Sequence, residues 1–158
     1  MFLSLILAAA VGGSVASANP CDAATSAEVE SVLGGAIVPV PASEMGEETA
    51  PGCLWATEGR TMEIKLTIWS PEELPVLDMP DAAAYFAKLH AEAVSGGRVT
   101  PLGGVGERAF ANDLYPKKSG RADGSVVVLS RGRVIVFDFT DVISRDAQAF
   151  AVRAAGRL

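Results

Sequence analysis

The chain has 158 residues, 49% of them apolar, with 19 acidic against 13 basic side chains and a formal charge of −6. That length accommodates one domain with a hydrophobic core of its own and is too short for two substantial ones. The acidic balance excludes nucleic acid as a partner, because phosphate contacts demand a basic surface.

Residues 1–18, MFLSLILAAAVGGSVASA, carry an apolar run from Phe2 to Val11 and close on Ala16-Ser17-Ala18, the A-x-A form that signal peptidase accepts. Cleavage is expected after Ala18, leaving a single domain over 19–158. An apolar run of roughly ten residues is too short to span a bilayer, and Pro20 does not fit the small residue that a lipoprotein signal needs ahead of its cysteine. The expectation is an exported chain, periplasmic or extracellular, with neither an integral membrane span nor a lipid tether. In such a chain Cys21 and Cys53, the two cysteines present, are most simply read as one disulfide. Metal or redox use is the alternative, although two cysteines without neighbouring His or Asp would leave zinc half coordinated.

After Cys21 the stretch DAATSAEVESVLGG spaces Thr25 and Glu28 as a capping box, puts Val29, Val32 and Leu33 on one face, and stops at Gly34-Gly35. This predicts a short helix. Pro39 and Pro41 then permit at most a brief edge strand. GCLWATEGRTMEIKLTIW holds two extended runs around Glu58-Gly59-Arg60, and in the second Met62, Ile64, Leu66 and Ile68 alternate with Glu63, Lys65 and Thr67, the pattern of a strand with one wet face. Past Pro71, Pro75 and Pro80, Asp81 starts a second helix with Ala82, Phe86, Leu89 and Ala93 as its apolar stripe and Gly96-Gly97 as its end.

A short extended piece, the glycine stretch PLGGVGERAF and another strand follow. LYPKKSGRADG is a polar loop with a local basic cluster of Lys117, Lys118 and Arg121, three charges that suit a solvated loop. SVVVLSRGRVIVFDF reads as two central strands turning at Arg131-Gly132, with Ile135, Phe137 and Phe139 on one face. In the last segment Ser144 can cap a helix whose Ala147, Phe150, Ala151, Ala154 and Leu158 recur at helical spacing, with Arg153 and Arg157 near its negative end. The order is helix, strands, helix, strands, helix. Short turns force antiparallel pairing, so the expected class is α+β, an antiparallel sheet with helices packed on one face.

Few residues offer chemistry. Gly103, Gly104 and Gly106 lack dinucleotide spacing, a following Lys and a following helix, so they are read as a backbone turn. His90, the single histidine, sits one position off the apolar stripe of its helix and is read as a flanking side chain, a poor start for a triad or a metal site. Asp138 and Asp141, with Glu58, Glu63 and Glu107 elsewhere, are the carboxylates from which an acid–base pair would be drawn. Trp55 shares a strand face with Cys53 and is expected to pack beside the bridge. Trp69 continues the polar parity of its strand and is the candidate aromatic contact on the open face, with burial under the proline-rich loop as the alternative.

Cys21 before a short helix, Cys53-Leu54-Trp55 opening a strand, a second helix, GVGERAF, the paired SVVVLSRGRVIVFDF and a terminal helix resemble a large family of small exported bacterial proteins, many of them lipoproteins, known only as a domain of unknown function. The likeness runs over nearly the whole mature chain, on loose motifs (Cys-x-Trp, Gly-x-x-Ala) that are not catalytic signatures. It implies a disulfide between the two cysteines. The lipoprotein cysteine is missing here, so membrane tethering is not implied. The expected function is that of a non-enzymatic envelope module, without cofactor, metal or catalytic residue, that binds an envelope protein or small ligand through the open sheet face and adjoining loops, with Trp69, Gly103, Gly104, Gly106 and Arg108 as contacts. The alternatives are a hydrolase of an envelope or extracellular polymer using paired carboxylates, and an accessory subunit recruiting a partner by a sheet edge.

Overall fold

The computed structural model describes residues 19–41, 50–113 and 120–158. The leader and the two lysines of the basic cluster, Lys117 and Lys118, lie outside the described residues. A 3-10 turn at Pro20–Ala23 leads into α1, Ser26–Leu33. Both halves of the capping box form: the Thr25 hydroxyl accepts from the Glu28 amide, and the Glu28 carboxylate accepts from the Thr25 amide. Gly34, at φ +78°, closes the helix in the left-handed conformation that an L side chain adopts with strain. Three strands follow: β1 (Ile37–Pro41), β2 (Gly52–Thr57) and β3 (Glu63–Trp69). Then α2 spans Ala82–Gly96, its first turn capped by the Asp81 carboxylate on the Ala84 amide. β4 (Arg98–Leu102), β5 (Arg108–Asp113), β6 (Arg121–Ser130) and β7 (Arg133–Ile143) complete the sheet, and α3 (Ser144–Ala155) ends the chain.

The protein is α+β. Among the described residues, seven strands form one antiparallel sheet in the order β1-β2-β3-β7-β6-β5-β4. Two meanders are thus joined where β3 pairs with β7, which puts the long Val- and Phe-rich β7 in the middle. Arg131 and Gly132, both at positive φ, make the two-residue turn between β6 and β7 that the right-handed strand twist favours.

The helices do not share one face. β3 buries Ile64, Leu66 and Ile68 toward the same side as Trp55 of β2 and Phe137 of β7, and α1 and α3 cover that side. Phe150 of α3 is its anchor, edge-on to both Trp55 and Phe137 with ring centroids 6.1 Å apart in each case. The opposite parity of β5, β6 and β7, namely Phe110, Val127, Leu129 and Val134, is buried under α2 and the Leu74–Leu77 turn, with Phe86 of α2 lying 5.3 Å from Phe110. The expectation that helices pack on one face is therefore corrected to α1 and α3 on one side and α2 on the other. The wet alternation of β3 reports only its own surroundings, and α2 covers the sheet from β4 to β7. The near-continuous apolar runs VVVL and VIVF of β6 and β7 are what a strand buried on both faces requires.

The bridge forms: Cys21 and Cys53 are disulfide-bonded with Cα atoms 5.1 Å apart, across a sequence separation of 32 residues. It fastens the chain just ahead of α1 to β2, and Cys53 and Trp55 lie fully buried in the same core. Ser144 does not cap α3. The N-cap is Ile143, without a side-chain bond, and the Ser144 hydroxyl instead accepts from Gln148 inside the first turn. Arg157 lies beyond the helix end and reaches α1, where its guanidinium donates to both Glu28 carboxylate oxygens at 2.6 and 2.8 Å and to the Ala23 carbonyl at 3.0 Å. That bidentate contact, more than a dipole effect, is what its charge does.

Candidate functional site: the cleft between α2 and the sheet

Strand register assembles a polar row on the face that α2 covers only in part. Lys65 of β3 stands opposite Asp138 of β7, Asp138 opposite Ser125 of β6, and Ser125 opposite Asn112 of β5. One rung along, Thr67, Val136, Val127 and Phe110 form the next row, and one further Trp69, Val134, Leu129 and Arg108. Residues two apart on a strand face the same way, so these three rows floor a single surface. α2 lies along it with Tyr85, Leu89, Glu92 and Ala93 toward the polar row.

Two adjoining cavities of about 270 and 230 Å³ run between helix and sheet and share Leu89, Val136 and Asp138. Trp69 and Tyr85 close one end, ring edge to ring face with centroids 5.8 Å apart. Asn112 lies on the floor of the other end, 4% exposed, and its side-chain oxygen has no hydrogen-bond partner among the described residues. An acceptor withdrawn from water without a donor is unfavourable by roughly 1–3 kcal/mol. Burial pushes the Tyr85 phenol above its usual pKa, and the Asp138 and Glu92 carboxylates push it the same way.

Of the sequence-predicted contacts, the structure brings Trp69 to this cleft, half-buried against Tyr85 rather than standing free on an open face. Arg108 is not in it: its guanidinium stacks over the Phe86 ring at 4.8 Å. Gly103, Gly104 and Gly106 form the β4–β5 turn, with Val105 buried between them and the Glu107 amide donating to the Leu129 carbonyl at 2.8 Å. No helix follows these glycines, so their amides have no dipole behind them to aim at a phosphate. Gly106 has φ +56°, and a Cβ there would meet the Leu129 carbonyl oxygen at 2.5 Å, so the glycine serves close backbone approach.

The carboxylates are dispersed. Glu107 accepts from the Arg131 amide at the β6–β7 turn, 2.9 Å. Asp141, at φ +51°, gives its amide to Asp123 at the far end of the sheet. Glu58 lies in the β2–β3 connection. Glu63 is on the face of Asp138 and diagonal to it, but Arg60 stands 3.4 Å from Glu63 and Lys65 opposite Asp138. His90 is half-buried, edge-on to Phe110 at 5.1 Å.

Tyr85 and Asn112 are the site residues that sequence reasoning missed. Tyr85 precedes Leu89 by four and so begins a second stripe beside the Phe86 one; that spacing was the available signal. Nothing local marks Asn112, whose burial depends on α2 crossing β5. A separate groove of about 550 Å³, lined by Val38, Val40, Leu54 and Ala56 with Arg60 at its rim, lies over the β1–β2 end of the same face. Among known proteins, no family model, no curated protein and no solved structure matches this chain.

Proposed function

We propose that this protein is an exported, non-enzymatic binding module of the cell envelope, and that the cleft beside α2 is its ligand site. The observation that carries the reading is the pair of adjoining cavities between α2 and the sheet, walled at one end by Trp69 and Tyr85 and floored by the polar row of Lys65, Asp138, Ser125 and Asn112. Pockets that combine an apolar lining with a few placed polar groups are the usual form of small-ligand sites. The disulfide suits an oxidising compartment, as does the leader, and no helix among the described residues is long and apolar enough to cross a membrane. The resemblance to exported proteins of unknown function points the same way. Pro39 and Pro41 on the edge strand β1, and Pro101 on the opposite edge strand β4, count against recruitment of a partner by strand addition. Pro39 and Pro41 share one parity, so the N–H groups they lack are missing from one side of the strand; a ladder to β2 over all five residues makes that the free side.

The test is an amide-resonance titration of the disulfide-bonded protein with the low-molecular-weight fraction of an envelope extract. Shifts confined to residues around Trp69, Tyr85, Leu89, Asn112 and Asp138, and lost in Trp69→Ala, support the cleft. Shifts gathered elsewhere, or unchanged by that substitution, remove it. Export is checked separately: the amino-terminal sequence of protein recovered from the periplasm or medium should begin at Asn19.

A further inference from the structure

α1 and α3 are tied to the rest of the fold by more than packing: the bridge fastens α1 to β2, Arg157 pairs with Glu28, and Arg133 of β7 donates to the Leu158 carbonyl at 2.7 Å. α2 has no such tie. Its side-chain hydrogen bonds are internal, Asp81 accepting from the Ala84 amide and Ser95 donating to the Glu92 carbonyl, and among the described residues none joins it to the sheet. What holds it is contact alone, Phe86 and His90 edge-on to Phe110 and Tyr85 to Trp69. Over its 15 residues only Ala82, Phe86 and Ala93 are buried, whereas α3 buries five side chains in 12 residues. Apolar burial is the main term opposing local opening, so α2 is the most weakly held helix among the described residues.

The floor beneath α2 favours opening further. The two cavities leave the contact between helix and sheet incomplete. Asn112, grouped there with Leu89, Glu92 and Ala93 of the helix, keeps an acceptor oxygen that has no donor among the described residues and less than 1 Å² of surface open to water. Lifting the helix lets water donate to that oxygen, so a desolvation penalty carried by the closed state is absent from the open one. Gly96-Gly97 at the end of the helix supplies residues that absorb a change of φ and ψ, and the segment from Ser70 to Asp81 ahead of it belongs to no strand. We infer that α2 is a lid: it leaves the sheet as one unit, turning at Gly96-Gly97 while the sheet, α1 and α3 stay folded, and its opening is the way into the cavities beneath it. The gating role rests on the cleft being the ligand site, whereas the opening is measured without any ligand.

The experiment is native-state hydrogen exchange of the disulfide-bonded protein, under conditions where exchange reports the opening equilibrium. Amides of α2 from Phe86 to Ala93 should share one opening constant, at least about tenfold larger than that of α3 and β7. Phe150→Leu weakens the opposite side of the sheet, which a lid opening leaves intact. It should speed exchange in α3 and β7 about tenfold and leave α2 unchanged. Asn112→Leu removes the orphan oxygen from the closed state and should slow α2 exchange about tenfold. Because the Phe150→Leu readout does not touch the cleft, the lid stays testable should Asn112→Leu disturb the fold. Exchange of α2 at the rate of α3 and β7 in the wild type, or equal acceleration of all three in Phe150→Leu, overturns the lid and leaves the cleft a rigid site. Faster exchange in α2 without ligand-induced shifts in the cleft leaves the lid and removes the ligand site.

Discussion

Gly106 and Gly103 lie three residues apart in one turn and answer differently to the same substitution. At Gly106 the backbone is at φ +56° and a methyl group would press on the Leu129 carbonyl and on Val128, whereas at Gly103 an added Cβ meets nothing within 4 Å. Gly106→Ala should therefore lower stability by about 2 kcal/mol or more, by positive-φ strain and overlap together, with Gly103→Ala near neutral; urea denaturation of the two variants side by side checks this. Equal effects would mean that the turn is not held against β6 as described. Phe150 is the corresponding residue in the core: both Trp55 and Phe137 rest on its ring. Phe150→Ala leaves a void at that junction and should cost about 3–5 kcal/mol by the same measurement.

Among the elements, α1 is eight residues long, too short to persist alone in water. Its capping box, the bridge just ahead of it and its tie to the chain terminus do what length does not. Thr25→Ala should remove about 1 kcal/mol by leaving the first-turn amides unpaired. The tie to the terminus is acid-sensitive. The Arg157 guanidinium, helped by the Thr25 amide, holds the Glu28 carboxyl down at about 2 from an ordinary 4.5. A carboxyl lowered on folding stabilises the folded state fully above its unfolded pKa and loses that contribution as pH falls through the folded one. The contribution should therefore be complete above pH 4.5 and fade toward pH 2. Thermal denaturation across that interval should show Glu28→Gln less stable than wild type at neutral pH and the two converging in acid; parallel curves would exclude the ion pair as the source.

For the whole molecule, the bridge joins the segment ahead of α1 to β2 and closes a loop with a sequence separation of 32 residues. The chain-entropy model assigns such a closure about 3–4 kcal/mol, so the Cys21→Ser, Cys53→Ser double variant should unfold at correspondingly lower urea, and alkylation of the native protein should find no reactive thiol. The α+β class, the pairing of the cysteines, the caps of α1 and α2, the inward set of β3 and the Arg131-Gly132 turn were all determined by the sequence alone. Each depends on neighbours within a few residues, or, for the bridge, on there being only two cysteines to join. Which face each helix covers was decided by tertiary structure, and with it the cleft. Lys65, Asp138, Ser125 and Asn112 come from four strands spread over 74 residues of chain and meet only because β7 inserts beside β3. Likewise, Arg108 faces Phe86 and Trp69 faces Tyr85 only because α2 crosses back over the sheet. Local periodicity records how a segment divides between wet and dry sides; it carries no record of which distant element supplies the dry one, and a site built between two such elements has no signature in either.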